Sequence, residues 1–401
     1  MKSVSLKDVC EVFADGDWIE SKDQSDGGIR LIQTGNVGVG VFKDRIEKAR
    51  WISEDTFKKL RCTEILEGDV LVSRLPDPVG RSCLIPALEH KAITAVDCSI
   101  LRFDPKIMIA KYFIFYSQSS RYSNEIEPLI SGSTRQRISR EKLGTIQIPT
   151  PSLDEQLRIV AKLETAFTEI EEAKIKTSIT VRNLSRLLDS KFEEVFKLME
   201  VEYGMIQSGT VIDVRDGTHD SPSYVDSGYP LVTSKNLQDG LIDFSKVSLI
   251  KEDDYQKINK RSKVEVGDLL FAMIGTIGNP VVVKEEPLFA IKNVALFKGN
   301  PKYDMNFLSY YLRSPRIKEK FDREAKGTTQ RFLGLGYLRT FEIPNVPIDN
   351  QLEIVRKLEQ FESELKKLEH NLKQRLESLI ELNNSILSSF FTSDSEEGAV
   401  A

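Results

Sequence analysis

Apolar positions along this 401-residue chain follow two rhythms, and each rhythm occurs twice. The first is a mixed pattern. Short β-branched and aromatic runs such as Val70-Leu71-Val72, Ser99-Ile100-Leu101-Arg102-Phe103 and Pro280-Val281-Val282-Val283 are punctuated by Gly and Pro and predict strands. Helical stretches such as 305–312 interrupt them. The second rhythm is a sustained 3-4 spacing. Val160, Leu163, Phe167, Ile170, Thr177, Val181, Leu184, Leu188, Val195 and Leu198 share one frame, with Lys174 and Lys191 as polar slots. Val355, Leu358, Leu365, Leu372, Leu376, Leu379, Ile386 and Phe390 share another, with Glu362, Glu369 and Asn383 polar. Each frame predicts one helix of about 45 residues, roughly 65–70 Å long at 1.5 Å per residue. One small domain cannot bury such a stripe, so each seam needs a partner, and the other copy supplies one. The polar slots read either as solvated breaks or as docking points for further helices, with docking preferred for Glu362 and Glu369.

Proline marks both helix entries. Pro149 and Pro151 precede Ser152, with Glu155 at capping-box spacing, and Pro347 precedes Asp349. These entries also reveal a duplication. Ile148-Pro149-Thr150-Pro151-Ser152-Leu153-Asp154-Glu155-Gln156-Leu157 stands against Ile343-Pro344-Asn345-Val346-Pro347-Ile348-Asp349-Asn350-Gln351-Leu352, 195 residues on. At the same offset, Gly132-Ser133-Thr134 matches Gly327-Thr328-Thr329. Weaker echoes pair Glu67-Gly68-Asp69-Val70-Leu71 with Val266-Gly267-Asp268-Leu269-Leu270, and Leu31-Ile32-Gln33-Thr34-Gly35-Asn36 with Leu231-Val232-Thr233-Ser234-Lys235-Asn236. The expected architecture is α+β: globular domains at 1–150 and 204–346, long helices at 151–203 and 347–391, and an acidic tail at 392–401.

Composition narrows the classes. With 40% hydrophobic and 29% charged residues the chain can build cores. It has no apolar run long enough for a membrane span and no apolar signal segment, so a cytoplasmic location is expected. The net charge of −5 is uneven. Residues 1–150 and 201–346 are each +1, residues 151–200 are −2 and residues 347–401 are −5, so the total does not exclude nucleic acid. Cys10, Cys62, Cys83 and Cys98 form no C-x-x-C pair, and His90, His219 and His370 are scattered, so neither a disulfide framework nor a zinc site is expected.

The ordered set recurs twice: a globular domain ending in a G-[ST]-T loop, I-P-x-P or I-P-x-x-P, D-x-Q-x-x-I-V-x-K-L, then a long helix. It closely resembles the specificity subunits of Type I restriction–modification enzymes, over the whole chain. The resemblance implies two target recognition domains, each reading one half of an asymmetric split site on double-stranded DNA. It implies that the helices form an antiparallel coiled coil about a pseudo-twofold axis, set the spacer, and dock two modification subunits. It places S-adenosylmethionine and adenine methylation on those modification subunits. ATP and Mg2+ would belong to restriction subunits, whose addition gives the endonuclease. No cofactor or metal is expected on this chain.

Candidate DNA-contacting residues follow from their chemistry. Ser133, Thr134, Arg135, Gln136 and Arg137, with Thr328, Thr329, Gln330 and Arg331, place hydroxyls, amides and guanidinium groups in Gly-led loops. Arg suits guanine, Gln suits adenine, and hydroxyls suit phosphate. The alternative is that these loops only shape the junction between domain and helix. Thr34 and Asn36, with Thr233, Ser234, Lys235 and Asn236, form a polar patch after an apolar run, with an ordinary Asn turn as the alternative. Arg74 and Arg81 flank a Pro76-Asp77-Pro78 loop that residues 273–278 replace in the second copy. Arg215, Asp216, Thr218 and His219 form a further polar loop, read as structural.

Enzymatic readings find little. Asn279-Pro280-Val281-Val282 lacks the second proline and the aromatic of an adenine methyltransferase loop, and Gly38-Val39-Gly40 is an isolated glycine pair. Glu324-Ala325-Lys326 has nuclease spacing but lies in a charged stretch that reads as helical. No P-loop occurs. A DNA-specificity subunit is therefore the preferred class. A self-contained nuclease or methyltransferase and a protein-binding helical scaffold remain as alternatives.

Overall fold

The computed structural model describes residues 3–327 and 331–391. The predicted acidic tail and Thr328, Thr329 and Gln330 lie outside the described residues. The chain divides into two compact units, one drawn from residues 1–177 and 374–401, the other from 178–373. Among the described residues no helix is long and apolar enough to cross a membrane.

The first unit contains a four-stranded antiparallel sheet in the order Cys10–Asp15, Cys98–Phe103, Val70–Ser73, Ser82–Leu84. A second sheet runs Gln24–Ser25, Arg50–Ile52, Ile29–Ile32, Ala92–Thr94, its last pair parallel. The second unit repeats both: Val214–Asp216, Val294–Phe297, Leu269–Ala272, Gly278–Val282, then Tyr224–Val225, Ser248–Ile250, Tyr229–Thr233, Ala290–Lys292, with the same parallel pair. The duplicated sequence is thus a duplicated topology. Each copy also closes on itself, because its first strand pairs with the Ile-Pro strand before the long helix: Ser3–Ser5 with Gln147–Pro149, and Met205–Gln207 with Glu342–Pro344.

The echoes have physical causes. Gly68 and Gly267 both take φ +88°, where a side chain would be strained, and turn the chain into a fully buried strand. The next residue is a buried carboxylate. Asp69 caps the Leu66 amide (2.8 Å) and binds Arg102 through two 2.8 Å bonds. Asp268 caps the Glu265 amide (2.7 Å) and binds Lys298 (2.7 Å). A buried acid needs such a partner, and both copies supply a cation at the equivalent position.

Two long helices, Leu153–Tyr203 and Ile348–Phe391, complete the chain. Ser152 caps the first through the Glu155 amide (3.3 Å), while the Glu155 carboxylate turns to Arg158. Each helix serves both units. Ile159, Val160 and Leu163 from the start of the first helix share a core with Leu387 and Phe391 from the end of the second. Phe192, Phe196 and Met199 from the end of the first share the other core with Val355 and Leu358 from the start of the second.

One sequence expectation needs correction. The heptad frame runs through Val195 and Leu198, and through Ile386 and Phe390. In the last turns the buried residues are instead Phe192, Phe196 and Met199, and Leu387 and Phe391, while Leu198 is exposed. An α-helix drifts about 20° per heptad from a 3.5-residue repeat, so five heptads accumulate about 100°, one residue. Burial follows the helix's own period rather than a strict coiled-coil frame.

The D-x-Q glutamine bolts each helix to its unit. Gln156 is fully buried. Its Oε1 accepts from the Ile109 amide (2.8 Å), and its Nε2 donates to the carbonyls of Ile107 (2.8 Å) and Pro151 (3.0 Å). Gln351 repeats this with the Asp304 amide (2.8 Å) and the Val346 carbonyl (2.7 Å). The next joint differs between copies. Phe115 meets Phe167 edge to face at 5.5 Å in the first unit. At the equivalent positions of the second, Tyr310 donates to Glu362 (3.1 Å), which also takes Arg313 (2.9 Å). Glu362 is thus a docking point, but for a helix of its own unit, Met305–Arg313.

Three outcomes follow. Gln156→Ala leaves backbone groups unsatisfied and should cost about 1–3 kcal/mol, read as a lowered urea midpoint with protection lost first in residues 107–111. Phe391→Ala should destabilise the first unit by about 3–5 kcal/mol; hydrogen exchange should show loosening around Tyr112 and Tyr116, which Phe391 contacts edge to face. Burial alone would raise the Glu362 pKa, but the Arg313 hydrogen bond and charge hold it below its ordinary 4.5. Its stabilising share is therefore complete above about pH 4.5 and fades as pH falls through the lower folded value. Protection at residues 305–313, measured relative to the intrinsic exchange rate at each pH, should fall on acidification in wild type, and a Glu362→Gln variant should remove that fall.

Candidate nucleic-acid interface

In each unit the structure gathers segments that are far apart in sequence. Strand Ile29–Ile32 runs into the 3-10 turn Thr34–Asn36, and strand Tyr229–Thr233 into Ser234–Asn236. The asparagine organises each turn. Asn36 Oδ1 accepts from the Gln33 amide (3.0 Å), and its Nδ2 donates to the Lys43 carbonyl (2.9 Å). Asn236 accepts from the Thr233 amide (2.9 Å) and hydroxyl (2.8 Å) and donates to the Asp243 carbonyl (3.0 Å). Both amides are buried and engaged within their loops. Ser234 Oγ bonds the Asn293 carbonyl (3.1 Å). Thr34 is half-buried, and Lys235 extends into solvent.

The adjoining hairpin tips differ. In the first unit Asp77 and Pro78 are exposed, and the two arginines beside them turn inward. Arg74 bonds the Val96 carbonyl and lies 3.5 Å from Asp15. Arg81 donates to four carbonyls: Leu75 (2.6 Å), Val37 (2.7 Å), Thr34 (2.9 Å) and Pro78 (3.0 Å). Its burial lowers its pKa. In the second unit Gly275 and Thr276 form the exposed tip. Tip and turn there face a cleft of about 660 Å³ lined by Lys235, Lys246, Tyr224, Thr276 and Asn293 among others.

The Gly-led loops sit against these tips. Ser131 and Arg137 exchange backbone hydrogen bonds of 2.9 Å, closing a hairpin whose tip, 132–137, is exposed. Gly132 is required there: φ is +102°, and a Cβ would lie 2.4 Å from the Arg135 carbonyl oxygen. Ser133, Thr134, Arg135, Gln136 and Arg137 therefore all face solvent, with Arg135 3.4 Å from Asp97. The Ile138 amide bonds the Arg74 carbonyl (3.2 Å), fastening loop to tip. In the second unit Lys326 and Phe332 close the equivalent hairpin, and the Leu333 amide bonds the Met273 carbonyl (2.9 Å). Arg331 is exposed and 3.4 Å from Asp322. The helix Pro315–Glu324 ends at Glu324, so Glu324-Ala325-Lys326 spans a helix end and a hairpin rather than one helix.

Sequence reasoning missed two features. Asp15-Gly16 and Asp216-Gly217 are a further repeat, in which a Cβ on either glycine would lie within 2.3 Å of a carbonyl oxygen of the neighbouring strand. The buried Asp216 binds Arg261 and His219 (2.9 Å). The signal was present, as Asp-Gly recurs about 200 residues on. Asn279, whose sequence context is that of an incomplete methyltransferase loop, donates through Nδ2 to the Leu237 carbonyl (3.0 Å). Among the described residues no His, Cys, Asp and Glu side chains gather in threes to hold a metal. All four cysteines are free, and burial pushes the Cys10 and Cys83 thiols up to about 12.

Known proteins resemble this chain in sequence and in fold. The chain is 24% identical over 352 residues to the Type I restriction enzyme EcoBI specificity subunit of Escherichia coli, covering 77% of this chain and 69% of that one. It is 22% identical over 314 residues to the EcoKI specificity subunit of Escherichia coli strain K12, covering 73% and 67%. Its fold matches that of the HsdS subunit from Thermoanaerobacter tengcongensis, with a TM-score of 0.64, 18% identity, and coverage of 98% and 97%. It also matches a chain solved in work on assembly and conformational transition of the type I R-M system, with a TM-score of 0.68, 18% identity, and coverage of 97% and 96%. The sequence model of the Type I restriction modification DNA specificity domain matches residues 1–181 and 222–378, and the chain belongs to that family.

Proposed function

We propose that this chain is a non-catalytic DNA-reading subunit whose two units each recognise one half of an asymmetric bipartite site. The supporting observation is the duplicated surface: in each unit a turn lies beside a hairpin tip, and the backbone that follows the Gly-led segment is bonded to that tip, with different exposed side chains in the two units. Base edges would be read by exposed groups at these places, such as Arg135, Gln136 and Arg137 in one unit and Lys235, Thr276 and Arg331 in the other. Hydroxyls such as Ser133 and Thr134 suit phosphate.

The long helices are proposed to pair antiparallel and set the spacing between half-sites, about one turn of B-DNA or 34–36 Å. Support comes from each helix burying its opposite ends in opposite cores. In this reading two modification subunits dock on the helices, bring S-adenosylmethionine and methylate adenine N6. Restriction subunits using ATP and Mg2+ would add cleavage.

Methylation mapping in cells with and without this gene tests the reading. N6-methyladenine should appear in one asymmetric split motif only when the gene is present. No difference, with the modification subunit expressed, points instead to a protein-binding scaffold. Two variants separate the parts. Glu at both Leu372 and Leu376 should place charge on the seam and weaken binding at both half-sites together; loss at one half-site alone would remove the helices as common spacer. Arg331→Ala should relax preference at one half-site by about 1–3 kcal/mol per base pair read, and an unchanged preference in a mutational binding scan would exclude that contact.

A further inference from the structure

We propose that Arg81 in the first unit and Asn279 in the second are equivalent positioning residues. Each ties the 3-10 turn to the adjoining hairpin tip and so fixes the reading surface of its own half-site without reading a base. The inference rests on the proposal that each unit reads one half-site.

The equivalence is geometric. Val37 and Leu237 each follow their turn directly, with the same backbone angles of φ −90° and ψ 106°. Arg81 Nε donates to the Val37 carbonyl at 2.7 Å, and Asn279 Nδ2 to the Leu237 carbonyl at 3.0 Å. Both donors come from the return arm of the hairpin, Arg81 immediately before strand Ser82–Leu84 and Asn279 within strand Gly278–Val282. Side chains of different length and charge thus reach the same acceptor. Asn279 does so from a left-handed backbone, φ +46°.

Arg81 has little left to offer a base. A guanidinium carries five N–H donors, and four hydrogen bonds to main-chain carbonyls lie within its reach. Two acceptors, Thr34 and Val37, lie at the turn, and two, Leu75 and Pro78, at the tip. One N–H is left, so a bidentate contact to guanine would require releasing at least one of these. What the bonds do instead is fasten together two segments whose exposed residues lie side by side. Base-edge readout tolerates about 0.5 Å of misplacement, so freeing turn from tip should blur several base pairs at once. Lys cannot substitute, because a tetrahedral ammonium cannot span four carbonyls as a planar fork does.

The test uses the full chain assembled with its modification subunits. Binding is measured to duplexes carrying every single base-pair substitution across both half-sites, over a series of salt concentrations. Arg81→Lys should reduce affinity for the intact site by about tenfold or more and flatten the preference at two or more base pairs of one half-site. It should leave the other half-site and the salt slope unchanged, because no phosphate contact is lost. Asn279→Gly, which keeps the positive φ while removing the amide, should flatten the opposite half-site. Loss of preference at a single base pair would make Arg81 a reader. A salt slope smaller by about one would make it a phosphate contact. No change in either variant would end the proposal. Should Arg81→Lys fail to assemble, Asn279→Gly decides alone, with preserved preference at the untouched half-site as its folding control. A wild-type complex with no base-pair preference anywhere would overturn the half-site reading itself, and this inference with it.

Discussion

An apolar stripe along a helix of 44 or 51 residues is more surface than one small domain can cover, and the rest of the architecture follows from that constraint. Each stripe is covered in parts. The first turns of one long helix and the last turns of the other lie in the same core, and the reverse pair lies in the second core. The first unit is therefore not a contiguous stretch of chain. The first needs Leu387 and Phe391 from the far end of the sequence, against Tyr112 and Tyr116. Two beads on a string would leave half of each stripe in water. Sharing the helices buries the two ends of each stripe and joins the stability of each unit to the other copy's helix.

Much of this was legible in the sequence because it depends on periodicity and on backbone-breaking residues. The 3-4 spacing gave both helices. Proline marked their starts within a few residues, and the repeated D-x-Q and Gly-led motifs exposed the duplication. What stayed hidden depended on which atoms a side chain meets. Asn36 and Asn236 follow a strand in a polar patch, and nothing in the sequence distinguishes an amide folded back on its own turn from one pointing outward. Arg81 was opaque for a related reason: its partners are four main-chain carbonyls, which carry no residue identity. The one-residue shift at Phe192 and Leu387 is not legible in a fixed heptad, because repeats of 3.5 and 3.6 residues stay in step for only a few turns.

Comparison of the two copies separates two kinds of interaction. Side chains bonded to backbone are retained: Gln156 and Gln351, Asn36 and Asn236, Asp69 and Asp268. Glycines that a carbonyl would crowd are retained as well, at Gly16 and Gly217. Contacts between side chains vary. The Phe115–Phe167 ring pair in one joint is a Tyr310–Glu362–Arg313 cluster in the other. The difference has a physical basis. A bond to the main chain is insensitive to the identity of its neighbours and can be copied unchanged, whereas two packed side chains must change together.

In the function proposed above, that distinction would let one frame serve two different half-sites. The exposed tips, Asp77-Pro78 in one unit and Gly275-Thr276 in the other, carry none of the retained bonds, so they are free to diverge without loosening the frame. Arg81 and Asn279 stand on the border between the two classes. Their acceptor is a main-chain carbonyl and is retained, yet the donor is not, because it grows from a hairpin whose tip has changed. The tip of the first unit needs a long planar fork that also gathers Leu75 and Pro78. The second tip lies where a short amide from a left-handed residue reaches the turn. Tip and tie are consequently one unit of variation: a recognition hairpin exchanged without its own tie would leave the turn carbonyl unpaired and the reading surface in two loosely connected pieces.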